Sequence, residues 1–364
     1  MPASERPETI DAPDAVDAPL ARLGWTPFFE AQLEGLSSSI PDFPAAAQPT
    51  RVTAVHRNTL RVIGVDVDLT IPHAFEATVG DWLMLDLETK TACARLERSS
   101  LIKRKAAGRI TYTQSIAANI DTVFIVSSCN ADFNVARLER YVALAFEADT
   151  TPVIILTKAD LSDDPDGYVA QAQTISDRVA VLALDVRNTD PSDALAPWVQ
   201  LGQTIAFLGS SGVGKSTLVN ALSGQIKAAT QGIRDDDAKG RHTTTHRELH
   251  QLPNGCAVLD TPGMRELQLT DAASGIKDVF ADLIEVAAQC KFSDCAHQSE
   301  PKCAIKAGIA DGSVDPARVE RWQKLQDEDA HNSEAATQTA AHRKARDKSL
   351  GKTIKGLQKG NRKK

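Results

Sequence analysis

The chain has 364 residues, 42% of them hydrophobic and 24% charged, which suits a globular protein of two to four modules and excludes a wholly disordered or collagen-like one. No apolar run reaches the length of a membrane-spanning helix, and the N-terminus lacks the basic-then-apolar order of a signal peptide. The net charge of −7 hides an asymmetry: His331 to Lys364 holds ten Lys/Arg and two Asp/Glu, a net of +8, so the other 330 residues carry −15. Such a tail favours a polyanion, and nucleic acid is the commonest one. Six cysteines without a secretion signal point to a reducing cytoplasm, where clustered cysteines more often hold metal than form disulfides.

Residues 1–48 are acidic and rich in Ala and Pro, and read mostly as a mobile extension, with Trp25, Phe28 and Phe29 as local patches able to dock. Residues 49–106 change character. RVTAVHRNTLRVIG, DVDLTIP and VGDWLMLDLE are short β-rich runs parted by Asn, Gly and Pro turn signals. They predict a small OB-like β-barrel. A basic run follows, with Arg95, Arg98, Lys103, Arg104, Lys105 and Arg109 against Glu97 alone; it reads either as an RNA-facing edge or as a solvated linker.

Residues 110–269 alternate buried-strand runs (DTVFIVSS, PVIILTKAD, VAVLALD, TIAFLGS, CAVLDTPG) with helical patterns such as NVARLERYVALAF, which has apolar positions at Val135, Leu138 and Val142. That rhythm predicts an α/β domain with a mostly parallel sheet. Residues 270–328 read as helical with a cysteine cluster, and Asp315-Pro316 is a helix start. Residues 329–364 are the basic tail, expected to be disordered.

The chemistry is concentrated in a few motifs. Gly209, Ser210, Ser211, Gly212, Val213, Gly214, Lys215, Ser216 and Thr217 fit G-x-x-x-x-G-K-[ST] between the strand TIAFL and the helical run STLVNAL. Backbone N–H groups of such a loop and the helix N-terminus cradle phosphates. Lys215 would reach the β- and γ-phosphates, and Ser216 would meet Mg²⁺. Asp260-Thr-Pro-Gly263 ends another buried strand, placing an acid for Mg²⁺ and a Gly263 N–H for a γ-phosphate. Between them, Gly240-Arg-His-Thr-Thr-Thr245 offers a hydroxyl to the Mg²⁺ shell, assigned to Thr244 although any of Thr243 to Thr245 would serve.

Thr157, Lys158, Ala159 and Asp160 close the strand PVIIL. A carboxylate there accepts from N1–H and the exocyclic amine of guanine, donors that adenine lacks on that edge. The expected nucleotide is therefore GTP. Asp160 precedes Gly209, the reverse of the ordinary GTPase order, so the domain would be a circular permutant. Cys290, Cys295, His297 and Cys303 place three thiolates and one imidazole within fourteen residues, a closed tetrahedral shell for one structural Zn²⁺. Cys93, Cys129 and Cys256 stand alone on apolar runs and read as core.

These motifs, with IKRKAAGRITYTQSIAANID at 102–121, resemble the circularly permuted small ribosomal subunit biogenesis GTPases, the RsgA/YjeQ family, over about residues 51 to 325. The resemblance implies an OB barrel, a permuted GTPase domain and a helical zinc-binding domain. It also implies hydrolysis of GTP to GDP and phosphate, stimulated by the small ribosomal subunit in late assembly; nucleotide-dependent binding of rRNA is expected if GTP orders the Thr243–Thr245 loop and the Asp260 segment as a switch. Thr157 departs from the usual Asn of the guanine motif, and the second guanine-side loop falls near Ala183-Leu184-Asp185 without a firm assignment. Met264 stands where Ras-like enzymes keep a water-orienting Gln, so slow intrinsic turnover is expected; His242 either positions the attacking water or touches RNA. The expected protein is a cytoplasmic monomer with no membrane partner. Two rival readings remain: a P-loop ATPase or kinase, and a passive RNA-binding zinc protein with a regulatory nucleotide site.

Overall fold

The structure, a computed structural model, describes residues 18–41, 43–105, 113–224, 247–260 and 272–333. Two short helices, α1 (Ala18–Arg22) and α2 (Pro27–Ser39), precede five strands: β1 (Ala47–Val55), β2 (Thr59–Gly64), β3 (Val67–Pro72), β4 (Trp82–Asp86) and β5 (Thr91–Arg95). The order β3-β2-β1-β4-β5 is antiparallel throughout, and β3 approaches β5, so the sheet curls into the expected small barrel. Val52, Leu60, Val62, Ile71, Leu83 and Leu85 fill it. Alternating side chains in these runs supply that interior from one face of each strand.

Part of the segment expected to be mobile is ordered and packed. Thr26-Pro27 starts α2 with Pro in its first turn. Trp25 and Phe29 then stack on Trp82, with ring centroids 4.8 and 5.8 Å away. Leu20, Met84, Ala94 and Leu96 complete this second apolar cluster. Aromatic area outweighs the Ala/Pro composition: Trp25 and Phe29 cover the barrel, while Phe28 stays exposed. Residues 1–17 lie outside the described residues.

A hairpin of β6 (Leu101–Lys105) and β7 (Thr113–Ala118) leads into the second module. There follow β8 (Thr122–Ser128), α3 (Val135–Glu147), β9 (Thr151–Thr157), α4 (Pro165–Gln173), β10 (Ala180–Leu184), α5 (Ser192–Leu195), β11 (Thr204–Leu208), α6 (Lys215–Leu222), β12 (Arg247–Gln251) and β13 (Ala257–Asp260). Strands β10-β9-β8-β11-β13 are parallel, and β12 is antiparallel on the edge. Buried on both faces, β8, β9 and β11 are continuous apolar runs rather than alternating ones. Asn134 caps α3 by accepting from the Arg137 N–H.

β12 also pairs with β1 of the barrel, so one eleven-stranded sheet runs through both modules. Arg51 of β1 bolts the joint. Its guanidinium donates to Leu23 O, Asn119 O and Thr204 Oγ1 and lies over Trp82. Burial lowers the Arg51 pKa to about 10, so the group stays charged at neutral pH. Arg98, counted above in a basic edge, is instead committed to the fully buried Asp81, at 2.7 Å.

The last part is helical: α7 (Ala273–Val279), α8 (Ala281–Ala287), α9 (Ala304–Asp311) and α10, residues 316–333. α7 lies against α3 so closely that a Cβ on Gly275 would sit 1.9 Å from Ala143 O. The buried Glu139 of α3 accepts from Arg321 Nε at 2.9 Å and from Arg318 at 3.4 Å, both on α10. Arg318 also grips Asp282 through two bonds of 2.9 Å and the carbonyls of Ile175 and Val279. Asp315 starts α10 by accepting from the Ala317 N–H, as its position before Pro316 predicts.

Candidate functional site

The parallel strands all point their C-terminal ends the same way, the edge where open α/β sheets bind ligands. β11 delivers the phosphate loop there, β9 delivers Thr157 to Asp160, and β13 ends on Asp260. Three motifs separated by as much as a hundred residues thus share one sheet edge, although the guanine motif comes first in the chain.

The phosphate loop has the geometry its composition requires. Gly209, Gly212 and Gly214 all have positive φ. At Gly209 a Cβ would meet Val126 O at 2.1 Å, so the turn lies directly on the neighbouring strand and admits only glycine. Val213 is buried and anchors the loop, while Ser211, Ser216 and Thr217 are exposed along its rim. Lys215 begins α6, with Gly214 before it in the left-handed region. Its Nζ donates to Gly209 O at 2.7 Å and Ser210 O at 2.5 Å, so the ammonium is already gathered over the loop. A loop with backbone N–H groups around a lysine and a helix start is a fit cradle for phosphate oxygens.

Thr157 does more than its departure from Asn suggests. Its hydroxyl lies 2.5 Å from Val213 O and 3.1 Å from Ser127 O, tying the guanine-side strand to the phosphate loop. Lys158 follows in the left-handed conformation, φ 58°, and Asp160 sits exposed in the single turn Ala159–Leu161. Ala183 and Leu184, near which the second guanine-side loop is expected, are still in β10, with Leu184 opposite Thr157, and a loop begins at Asp185. The Asp185 carboxylate folds this loop by accepting from Arg187 N, Asn188 N and Asn188 Nδ2. Those hydrogen bonds, the Asn188 side chain first, hold its pKa below the usual aspartate range. Asp260 closes β13 opposite Glu248. His242, Thr243, Thr244, Thr245, Gly263 and Met264 lie outside the described residues.

The cysteine cluster assembles as the spacing predicts. The ligand atoms of Cys290, Cys295, His297 and Cys303 lie within 4.8 Å of one another. Cys290 Sγ and Cys303 Sγ are 3.9 Å apart, and His297 Nδ1 is 3.7 and 3.5 Å from them. A tetrahedral zinc with bonds of about 2.3 Å has S–S edges of about 3.8 Å, so the donor set fits. Burial pushes the Cys290 thiol up, but N–H groups of Ala304 and Ile305 at the start of α9 pull it below the usual value. Burial and the neighbouring thiols push Cys295 up to about 11. Three thiols and an imidazole this close are the setting in which a divalent cation binds and releases protons. Sequence reasoning missed two supports. Glu300 folds the loop by accepting from the N–H groups of Ala296, Gln298 and Ser299, and Trp322 packs on the His297 ring with centroids 5.7 Å apart. Glu300 was visible only as an acid between ligands; Trp322 lies on another helix and left no local signal.

Comparison with known proteins decides between the readings. The RsgA GTPase family model matches residues 95–270. The chain is 46% identical over 332 residues to the small ribosomal subunit biogenesis GTPase RsgA of Mesorhizobium japonicum, covering 89% of this chain and 94% of that one. The chain belongs to the RsgA GTPase family. The second RsgA of Vibrio parahaemolyticus is 45% identical over 348 residues, covering 95% and 94%. Among solved structures, YjeQ from Thermotoga maritima superposes with a TM-score of 0.58 at 24% identity, covering 77% of this chain and 97% of that one. YloQ, described as a circularly permuted GTPase, superposes at 0.54, covering 79% and 97%. The permuted fold is therefore shared, and the chemistry of this RsgA family member is GTP hydrolysis. An ABC transporter model also matches residues 195–364, a stretch that contains the phosphate loop common to both nucleotide-binding classes. Among the described residues no helix is long and apolar enough to cross a membrane.

Proposed function

We propose that this RsgA-family chain couples GTP hydrolysis to late maturation of the small ribosomal subunit, gripping rRNA in a nucleotide-dependent way. The observation that carries the reading is the convergence of Gly209 to Thr217, Thr157 to Asp160 and Asp260 on one sheet edge in permuted order.

The chain's residues divide the work. Backbone N–H groups of residues 209–214 and the Lys215 ammonium hold the β- and γ-phosphates and neutralise charge that develops in transfer to water. Asp160 reads guanine, with Lys158 laid along the base and Ala159 in the turn between them. Ser216, Asp260 and Thr244 are the residues that would hold Mg²⁺, directly or through water; the ion supplies further charge neutralisation when bound. Gly263 offers an N–H to the γ-phosphate, and His242 positions the attacking water once the subunit is engaged. Cys290, Cys295, His297 and Cys303 hold a structural zinc with no open position, so the metal shapes the lobe and takes no part in the reaction. The chain acts as a cytoplasmic monomer, and its basic tail contributes non-specific attraction to RNA.

The test is GTP turnover with and without purified small subunits at several salt concentrations. Turnover should rise with subunits, and the rise should fade steeply with salt, because phosphate contacts release counterions. Unchanged turnover would favour a passive RNA-binding protein. ATP that competes equally with GTP would favour the ATPase or kinase reading and remove Asp160 from its role.

A further inference from the structure

The barrel and the nucleotide edge meet where β1 pairs with β12, and one row of residues runs across that seam. β12 pairs Glu248 with Asp260 of β13 on one side and with Ala54 of β1 on the other. Ala54 in turn faces Arg61 of β2. Asp260, Glu248, Ala54 and Arg61 therefore lie in register across four strands. The small Ala54 side chain lets its two neighbours reach past it, and Arg61 Nη1 lies 3.5 Å from Glu248 Oε1. Arg61 is held for this contact by Asp68, with bonds of 3.0 Å from Nε and 2.9 Å from Nη2.

We propose that Arg61 and Glu248 form a positioning pair through which the barrel steadies the γ-phosphate side of the nucleotide site. The reasoning is topological. β12 is five residues long and bounded by the two segments assigned to γ-phosphate sensing: residues 240–245 lie just before Arg247, and Asp260 is directly across from Glu248. Without β1 it would be an unsupported edge strand. The groups assigned to GDP, by contrast, stand on β9 and β11, on the far side of β13. Loosening β12 should thus cost affinity for the triphosphate and spare the diphosphate. A partner seated on the barrel would act on GTP through the same strand, and by linkage GTP would act on the partner.

This inference rests on the guanine-nucleotide reading of the site. The test is titration of the full chain with GDP and with a non-hydrolysable GTP analogue. Glu248→Gln keeps the side-chain size and leaves Arg61 on Asp68. It should weaken the analogue about twofold to fivefold, the range of a half-exposed ion pair, with GDP affinity unchanged. Arg61→Gln should do the same, and the double variant should lose no more than either single one. Equal loss for both nucleotides, no loss for the analogue, or additive losses would overturn the pair's role while leaving the site intact. Failure of the unaltered chain to bind either nucleotide would overturn the site and the pair together. Melting temperatures of the variants check that each is folded.

Discussion

The two joints of the molecule are built from different materials. The barrel meets the GTPase sheet through main-chain pairing of β1 with β12, bolted by the buried cation Arg51. The helical lobe that carries the cysteine cluster meets the same domain through side-chain ions: Glu139 under Arg318 and Arg321, Arg178 with Asp278 at 2.6 Å, and Glu147 accepting from Gly275 N at 3.0 Å. A ladder tolerates substitution, because backbone groups carry it. An ion cluster does not, because removing one member strands a buried charge. The zinc joint should therefore be the more sensitive to mutation, and the barrel joint the stiffer to nucleotide-linked shifts along its strands.

The largest expected effect comes from metal removal. A Cys3His site contributes on the order of 10 kcal/mol to the order of its lobe. Chelation should disorder the segment around Cys290 to Cys303 and release the His297–Trp322 stack, read as a fluorescence change that Trp322→Phe abolishes. Hydrogen exchange at Asn119 and Thr204 should stay unchanged; if it rises in step, the joints are not independent.

Next in size, Glu139→Ala should destabilise the chain by about 3–5 kcal/mol in chemical denaturation, since it leaves Arg318 and Arg321 facing a buried void. Arg51→Met should cost less, about 2–3 kcal/mol, because it strands polar groups at Leu23, Asn119 and Thr204 but leaves the β1–β12 ladder in place. An Arg51 effect larger than that of Glu139 would reverse the ranking of the joints. The smallest effect belongs to a site outside both: Thr157→Val removes the hydroxyl bridge to Val213 and should cost about 1 kcal/mol, lowering GTP affinity about fivefold in calorimetry.

The parts legible in the sequence share a property: their chemistry needs given residue types at short spacing. The phosphate loop requires glycines where backbone approaches backbone, as Gly209 against Val126 shows. The zinc shell requires four donors in one short loop, and they do assemble. The short β-rich barrel runs between turn signals and the continuous apolar strands announced their own burial. Two expectations fell short. Composition made most of residues 18–41 look like linker with docking patches, and two helices form there with Trp25 and Phe29 docked on Trp82; Arg98 stood in a run that read as an RNA-facing edge or a solvated linker, yet it serves the buried Asp81. In both cases the partner stands more than fifteen residues away, beyond the reach of pattern.

What the sequence wrote out by itself was the motif chemistry: a phosphate loop and a guanine-type motif in permuted order, and a four-donor cluster fit for a metal, each in a short run of residues. Only the tertiary structure decided how the modules are joined. Arg51 finds partners 68 and 153 residues away, and Arg318 reaches back 179 residues to Glu139. The pairing of β1 with β12 leaves no side-chain signature, since backbone hydrogen bonds are the same for every residue that makes them.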